Sequence, residues 1–139
     1  MIKKAYQASI NITKPKDEVF TFTSDPNNLP LWSGASEVEV ISETHDKLGS
    51  TYKVTFSSFL KKTTILIKII SYNFPDSWAF ETEEEPVSSS NYKLEEIKGG
   101  TKVTFELIED RESDSIITDM AIKRKMEKLL ANLKNSLEE

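Results

Sequence analysis

The sequence predicts an α+β fold in which a curved, seven-stranded antiparallel sheet wraps a long C-terminal helix, with two short helices after the first strand. Three observations carry this prediction. Apolar and polar residues alternate with period two over most of the chain, short turn-rich connectors separate the alternating runs, and the final segment switches to a helical period. Short connectors between successive strands require antiparallel neighbours, because parallel ones need long crossovers.

In the first run Tyr6, Ala8, Ile10 and Ile12 share one face and Gln7, Ser9 and Asn11 the other, as in a strand buried on one side. Thr13 is positioned to cap a helix over about 15–23, with Pro15, Asp17 and Glu18 in its first turn, where proline and negative charge are favoured. Asp25-Pro26 ends that helix, and a short turn over 27–32 follows, limited by Pro30 and closed by Trp32. Strands are expected at about 36–44, 50–58, 62–73, 77–84, 89–98 and 101–109. Their connectors include Glu85-Pro86 and Gly99-Gly100, the latter read as a two-residue hairpin turn. From about 115 to 137, Ile122, Met126, Leu129, Leu130, Leu133 and Leu137 form one apolar stripe. Ile116, Ile117 and Met120 lie off it, which implies either a later or bent start to the helix or a second apolar surface for its first half.

The 139 residues suit a single domain spanning 1–139. No apolar run is long enough to cross a membrane, and the N-terminus lacks the apolar block of a signal peptide, so a cytoplasmic protein without stable membrane insertion is expected. A net charge of −5 argues against nucleic-acid partners, since phosphate backbones call for clustered Lys and Arg. The basic runs Lys61-Lys62 and Lys123-Arg124-Lys125 read as solvated surface. Without cysteine, and with one histidine, disulfides, thiolate catalysis and sulfur-ligated metals drop out, and neither a metal nor a cofactor is expected.

Catalytic groups are sparse, and no catalytic residue is assigned. His45, beside Asp46, reads as an exposed loop residue, and a general-base role is the competing reading. Glu83-Glu84-Glu85 reads as edge or loop charge, because adjacent strand residues point to opposite faces. Gly99-Gly100 precedes no helix and carries no phosphate-binding fingerprint.

The aromatic residues are more informative. A curved sheet touching a helix along one line leaves space for a ligand between them. On the strand faces turned toward the helix, alternation places Tyr52, Val54 and Phe56, then Ile65, Ile67 and Ile69, Trp78 with Phe80, Tyr92 with Leu94, and Val103, Phe105 and Leu107, facing Met126. Lys53, Lys68, Glu81 and Lys93 take the opposite faces. Trp32, Tyr52, Val54, Phe56, Ile67, Ile69, Trp78, Phe80, Tyr92, Leu94, Phe105 and Met126 are therefore the candidate ligand-binding residues, with Trp32 at the rim or plugging the end of the core, and the Tyr and Trp polar atoms orienting an otherwise apolar ligand. The same residues are bulky enough to fill a core, so a narrow cavity is expected.

In order, INITKP, KDEVFTFTSDPNNLPLW, LGSTYKVTF, IKIISYNFPDSWAF, GGTKVTFEL and LLANLKNSLE resemble the START-like, helix-grip (SRPBCC) superfamily, and within it the polyketide cyclase/dehydrase and lipid transport group. The likeness spans nearly the whole chain and rests on order and spacing. It implies a tunnel between sheet and helix that takes a small hydrophobic ligand such as a lipid or polyketide, used for binding, transport or sequestration in some members and for cyclisation or dehydration in others. A likeness to the Hsp90-activator-like branch, an interaction module, is weaker, because residues 52–74 contain no glycine. The expected state is a monomer or homodimer.

Overall fold

A computed structural model describes residues 2–83 and 87–139. Strand β1 (Ile2–Ile12) leads to helix α1 (Lys16–Thr23), a 3-10 turn (Pro26–Asn28) and helix α2 (Leu29–Trp32). Six strands follow, β2 (Glu37–Ser42), β3 (Thr51–Ser57), β4 (Lys62–Asn73), β5 (Ser77–Thr82), β6 (Ser88–Ile97) and β7 (Gly100–Arg111), and then helix α3 (Ile116–Glu138). They form one seven-stranded antiparallel sheet in the order β1-β7-β6-β5-β4-β3-β2, with β1 and β2 at its edges. Helix α3 crosses the concave side, packing on β1 and on α1 and α2. This is the helix-grip α+β fold.

The alternation puts the expected residues inside. Tyr52, Val54, Ile67, Ile69, Trp78, Tyr92, Leu94, Val103 and Phe105 are buried against Met126, Leu130, Leu133 and Leu137 of α3. Lys53, Lys68 and Lys93 are exposed on the outer face.

Several local expectations are corrected. Thr13 does not cap α1, whose N-cap is Pro15 with no side-chain hydrogen bond. Instead the Thr13 backbone N–H and hydroxyl each donate to Glu138 Oε2 at 2.9 Å, tying the end of β1 to the last turn of α3. Lys134 donates to the same oxygen at 3.0 Å. The β6–β7 turn is made by Lys98 and Gly99, with Gly99 at φ +85°, while Gly100 is the first residue of β7 and pairs with Ile97. A Cβ on Gly100 would lie 2.0 Å from the Ile12 carbonyl oxygen, so glycine is required there by close backbone approach.

Helix α3 begins at Ile116, capped by the Ser115 hydroxyl, which accepts from the Thr118 N–H at 3.3 Å. The helix does not start later, and its first turn meets no second apolar surface among the described residues. Ile116, Ile117 and Met120 face solvent. The turn is held by polar contacts: Asp119 accepts from the Tyr6 hydroxyl at 2.7 Å and from Lys4 at 3.1 Å, and Lys4 also pairs with Asp114. The Glu85-Pro86 connector and Glu84 lie outside the described residues; Glu83 is exposed.

Candidate functional site

The register of four neighbouring strands sets one aromatic from each side by side on the concave face. Phe105 on β7 pairs with Tyr92 on β6, Tyr92 with Trp78 on β5, and Trp78 with Tyr72 on β4. Phe105 and Tyr92 stack with centroids 4.6 Å apart and an interplanar angle of 13°, and Tyr92 and Trp78 at 4.8 Å and 11°. Other aromatics close on this row edge-on, Trp32 against Tyr92 at 5.8 Å and Phe20 against Tyr72 at 5.2 Å. Such pairs are worth about 0.5–1.5 kcal/mol each beyond the area they bury.

Of the two positions open to it, rim or plug, Trp32 takes the second. It is 1% exposed, anchored by α2 and turned in against Tyr92, so it plugs the end of the interior where α1 and α2 sit.

Tyr72 is the aromatic that strict alternation misses. From Ile69 the period of two would turn Ser71 and Asn73 inward, but a bulge between Ile69 and Ser71 shifts the register and brings Tyr72 into the row. The adjacent apolar pair Ile69-Ile70, which breaks the alternation, is the sequence signal of that bulge.

The opposite end of the interior is less closed. The β3–β4 hairpin, the start of β6, the end of β7 and the first turn of α3 all lie at this end. Here the inward-facing Phe56, Ile65, Phe80 and Leu107, and Ile122 of α3, are only partly buried although they pack on the core. Solvent therefore reaches these side chains from this side. A groove of about 640 Å³, by contrast, lies on the outer face of the sheet among Gln7, Asn91, Lys93, Thr104 and Glu106. Its lining is mixed, with Trp78, Tyr92 and Leu94 reached from behind, and its place on the outer face sets it apart from the interior that α3 covers.

Few polar atoms reach the interior. The Nε1 atoms of Trp32 and Trp78 are buried and have no hydrogen-bond partner among the described residues. Burial pushes the Tyr92 hydroxyl far above its ordinary range, so it remains a neutral phenol. Tyr52 donates to Glu43 Oε2 at 2.9 Å. Burial first, and this bond second, raise its phenol to about 12, while the bond from Tyr52 and then Lys47 hold Glu43 below the usual carboxylate range. His45 stands exposed in the β2–β3 loop, away from the interior. Among the described residues no group of three or more His, Asp or Glu side chains gathers as metal ligands, and no helix is long and apolar enough to cross a membrane.

Comparison with known proteins agrees with this geometry. The family model described as polyketide cyclase / dehydrase and lipid transport matches residues 4–138. The chain belongs to that family. No curated protein matches the sequence significantly. Among solved structures, a START superfamily protein from Mycobacterium smegmatis superposes with a TM-score of 0.83 at 8% identity, covering 96% of this chain and 97% of that one. The Zhui aromatase/cyclase of a Streptomyces species gives 0.80 at 11% identity over 99% and 94% of the two chains. A protein from Thermus thermophilus gives 0.76 at 16% identity over 95% of each. Identities this low show a shared fold, and the family's helix-grip architecture is what these chains have in common with this member.

Proposed function

We propose that this member of the polyketide cyclase/dehydrase and lipid transport family binds a small hydrophobic or amphipathic ligand on its concave face. The observation that carries the reading is the pairing of a buried aromatic floor with a partly exposed apolar wall at one end. A ligand entering between the β3–β4 hairpin and the start of α3 meets Phe56, Ile65, Phe80 and Leu107 first and the edges of the stacked Trp78 and Tyr92 beyond them. Tyr52, Val54, Ile67, Ile69, Leu94, Phe105 and Met126 form the surrounding wall, and Trp32 backs the floor without touching the way in. Burial of ligand surface at roughly 25 cal/mol per Å² supplies the affinity, less the costs of ordering.

The test is direct. An apolar panel of fatty acids and polycyclic aromatics is titrated against intrinsic tryptophan fluorescence and thermal midpoint. Binding raises the midpoint and quenches Trp78. The reading fails if no member of the panel moves either signal, or if Phe80→Asp leaves binding unchanged.

An enzyme of cyclase or dehydratase type is the second reading; the Zhui neighbour is named an aromatase/cyclase. The Tyr52–Glu43 pair favours it, as a hydroxyl and carboxylate 2.9 Å apart with the phenol buried. Under that reading Tyr52→Phe abolishes turnover of an enolizable polyketide while leaving its binding intact.

A further inference from the structure

Among the described residues, the two most exposed large apolar side chains sit together at the tip of the β3–β4 hairpin: Phe59 is 98% exposed and Leu60 89%. Lys61 and Lys62 follow them directly and are exposed as well. The hairpin's charge is set apart from that of the whole chain. Residues 47–75 hold five lysines and no Asp or Glu, in a protein whose net charge is −5. Three of those lysines are answered by acids, since Lys53 lies opposite Glu39, Lys68 opposite Glu81, and Lys47 is 3.3 Å from Glu43. Lys61 and Lys62 make no ion pair among the described residues. The same end of the molecule carries the exposed Ile116, Ile117 and Met120 of α3.

We propose that the β3–β4 tip docks this protein reversibly on an anionic lipid surface, with Phe59 and Leu60 entering the acyl boundary and Lys61 and Lys62 resting among the headgroups. A convex tip of two side chains is too small for a stable protein interface, which takes about 800 Å² from each partner. It does match a bilayer, where a short apolar insertion and a few cations together give weak peripheral binding that neither gives alone. Because the rest of the chain is acidic on balance, an anionic surface disfavours most approaches that do not lead with this hairpin, the exposed basic run Lys123-Arg124-Lys125 of α3 being the exception. Led by the hairpin, docking sets the partly open end of the concave face and the apolar first turn of α3 toward the lipid.

The test is co-sedimentation of the full chain with vesicles of phosphatidylcholine alone and of phosphatidylcholine mixed with phosphatidylserine, at low and high salt. The expected result is binding to the mixed vesicles that weakens as salt rises, with little binding to the neutral ones. A Phe59→Ser/Leu60→Ser variant should bind the mixed vesicles at least about tenfold more weakly, from the lost apolar transfer. A Lys61→Gln/Lys62→Gln variant should fall by a similar factor and lose most of the salt dependence. All four side chains face solvent, so both variants should keep the parent's thermal midpoint and its binding of soluble apolar ligands, which separates this surface from the interior site. The proposal is overturned if the parent stays in the supernatant with anionic vesicles, as it would if the tip served a protein partner. It is overturned equally if either double variant binds as the parent does.

Discussion

Replacing Trp32 with alanine separates a plug from a rim. The side chain is 1% exposed and stands edge-on to Tyr92 at 5.8 Å, so its removal empties a site the surrounding helices cannot easily fill. Truncating a buried Trp costs about 3–5 kcal/mol. One feature offsets part of that: Trp32 Nε1 has no hydrogen-bond partner among the described residues, and deleting an unsatisfied buried donor returns about 1–3 kcal/mol. A net loss of about 2 kcal/mol is expected, or about 7 °C at roughly 3–4 °C per kcal/mol for a chain of this size. Trp32→Phe keeps an aromatic edge on Tyr92 and removes the orphan donor, so its cost should be only about 1 kcal/mol. Urea denaturation at neutral pH measures both, with soluble-ligand titration alongside. The plug assignment is refuted if alanine costs less than about 1 kcal/mol while abolishing ligand binding, or if phenylalanine proves as damaging as alanine.

Other sites give equally concrete expectations. Gly100→Ala forces a Cβ against the Ile12 carbonyl oxygen and should lower stability by roughly 1–3 kcal/mol, read as a fall in thermal midpoint. The Glu138 carboxyl, held at about 2 by the Thr13 N–H, then Lys134 and the Thr13 hydroxyl, adds stability that is full above its unfolded value of 4.5 and lost as pH falls toward 2. The stability gap between the parent and Glu138→Gln should therefore close across that window in acid urea titrations. Tyr52, raised to about 12, adds stability present below its ordinary value of 10.0 and lost as pH climbs to 12. Ultraviolet titration of phenolate should show a late-titrating tyrosine that Tyr52→Phe removes.

The inward-facing set was legible because β3, β6 and β7 keep regular registers and the outer faces of their central residues carry lysines and acids. Burying one face of such a strand fixes which residues point inward wherever the strand stays regular. Where it is irregular the sequence reading slipped, at the Ile69/Ser71 bulge that brings Tyr72 inward and at the β6–β7 turn, displaced by one residue to Lys98-Gly99. Thr13 shows a different limit. It carries the chemistry of a helix cap, but its bonding groups are taken by Glu138, which is 125 residues away along the chain.

Sequence alone thus determined the class of the protein: the number of strands and the order of elements along the chain, the two short helices, the amphipathic α3 and most of the residues buried between them. These follow from local periodicity and turn chemistry, which act over a few neighbouring residues. Only the tertiary structure decided that Phe105, Tyr92 and Trp78 stack in one row with Tyr72 beside them, that Trp32 closes the interior, and that Phe59, Leu60, Ile116 and Ile117 are left exposed at its partly open end. Those outcomes depend on cross-strand register and on how far α3 covers the sheet, and both are set by contacts between residues far apart in the chain.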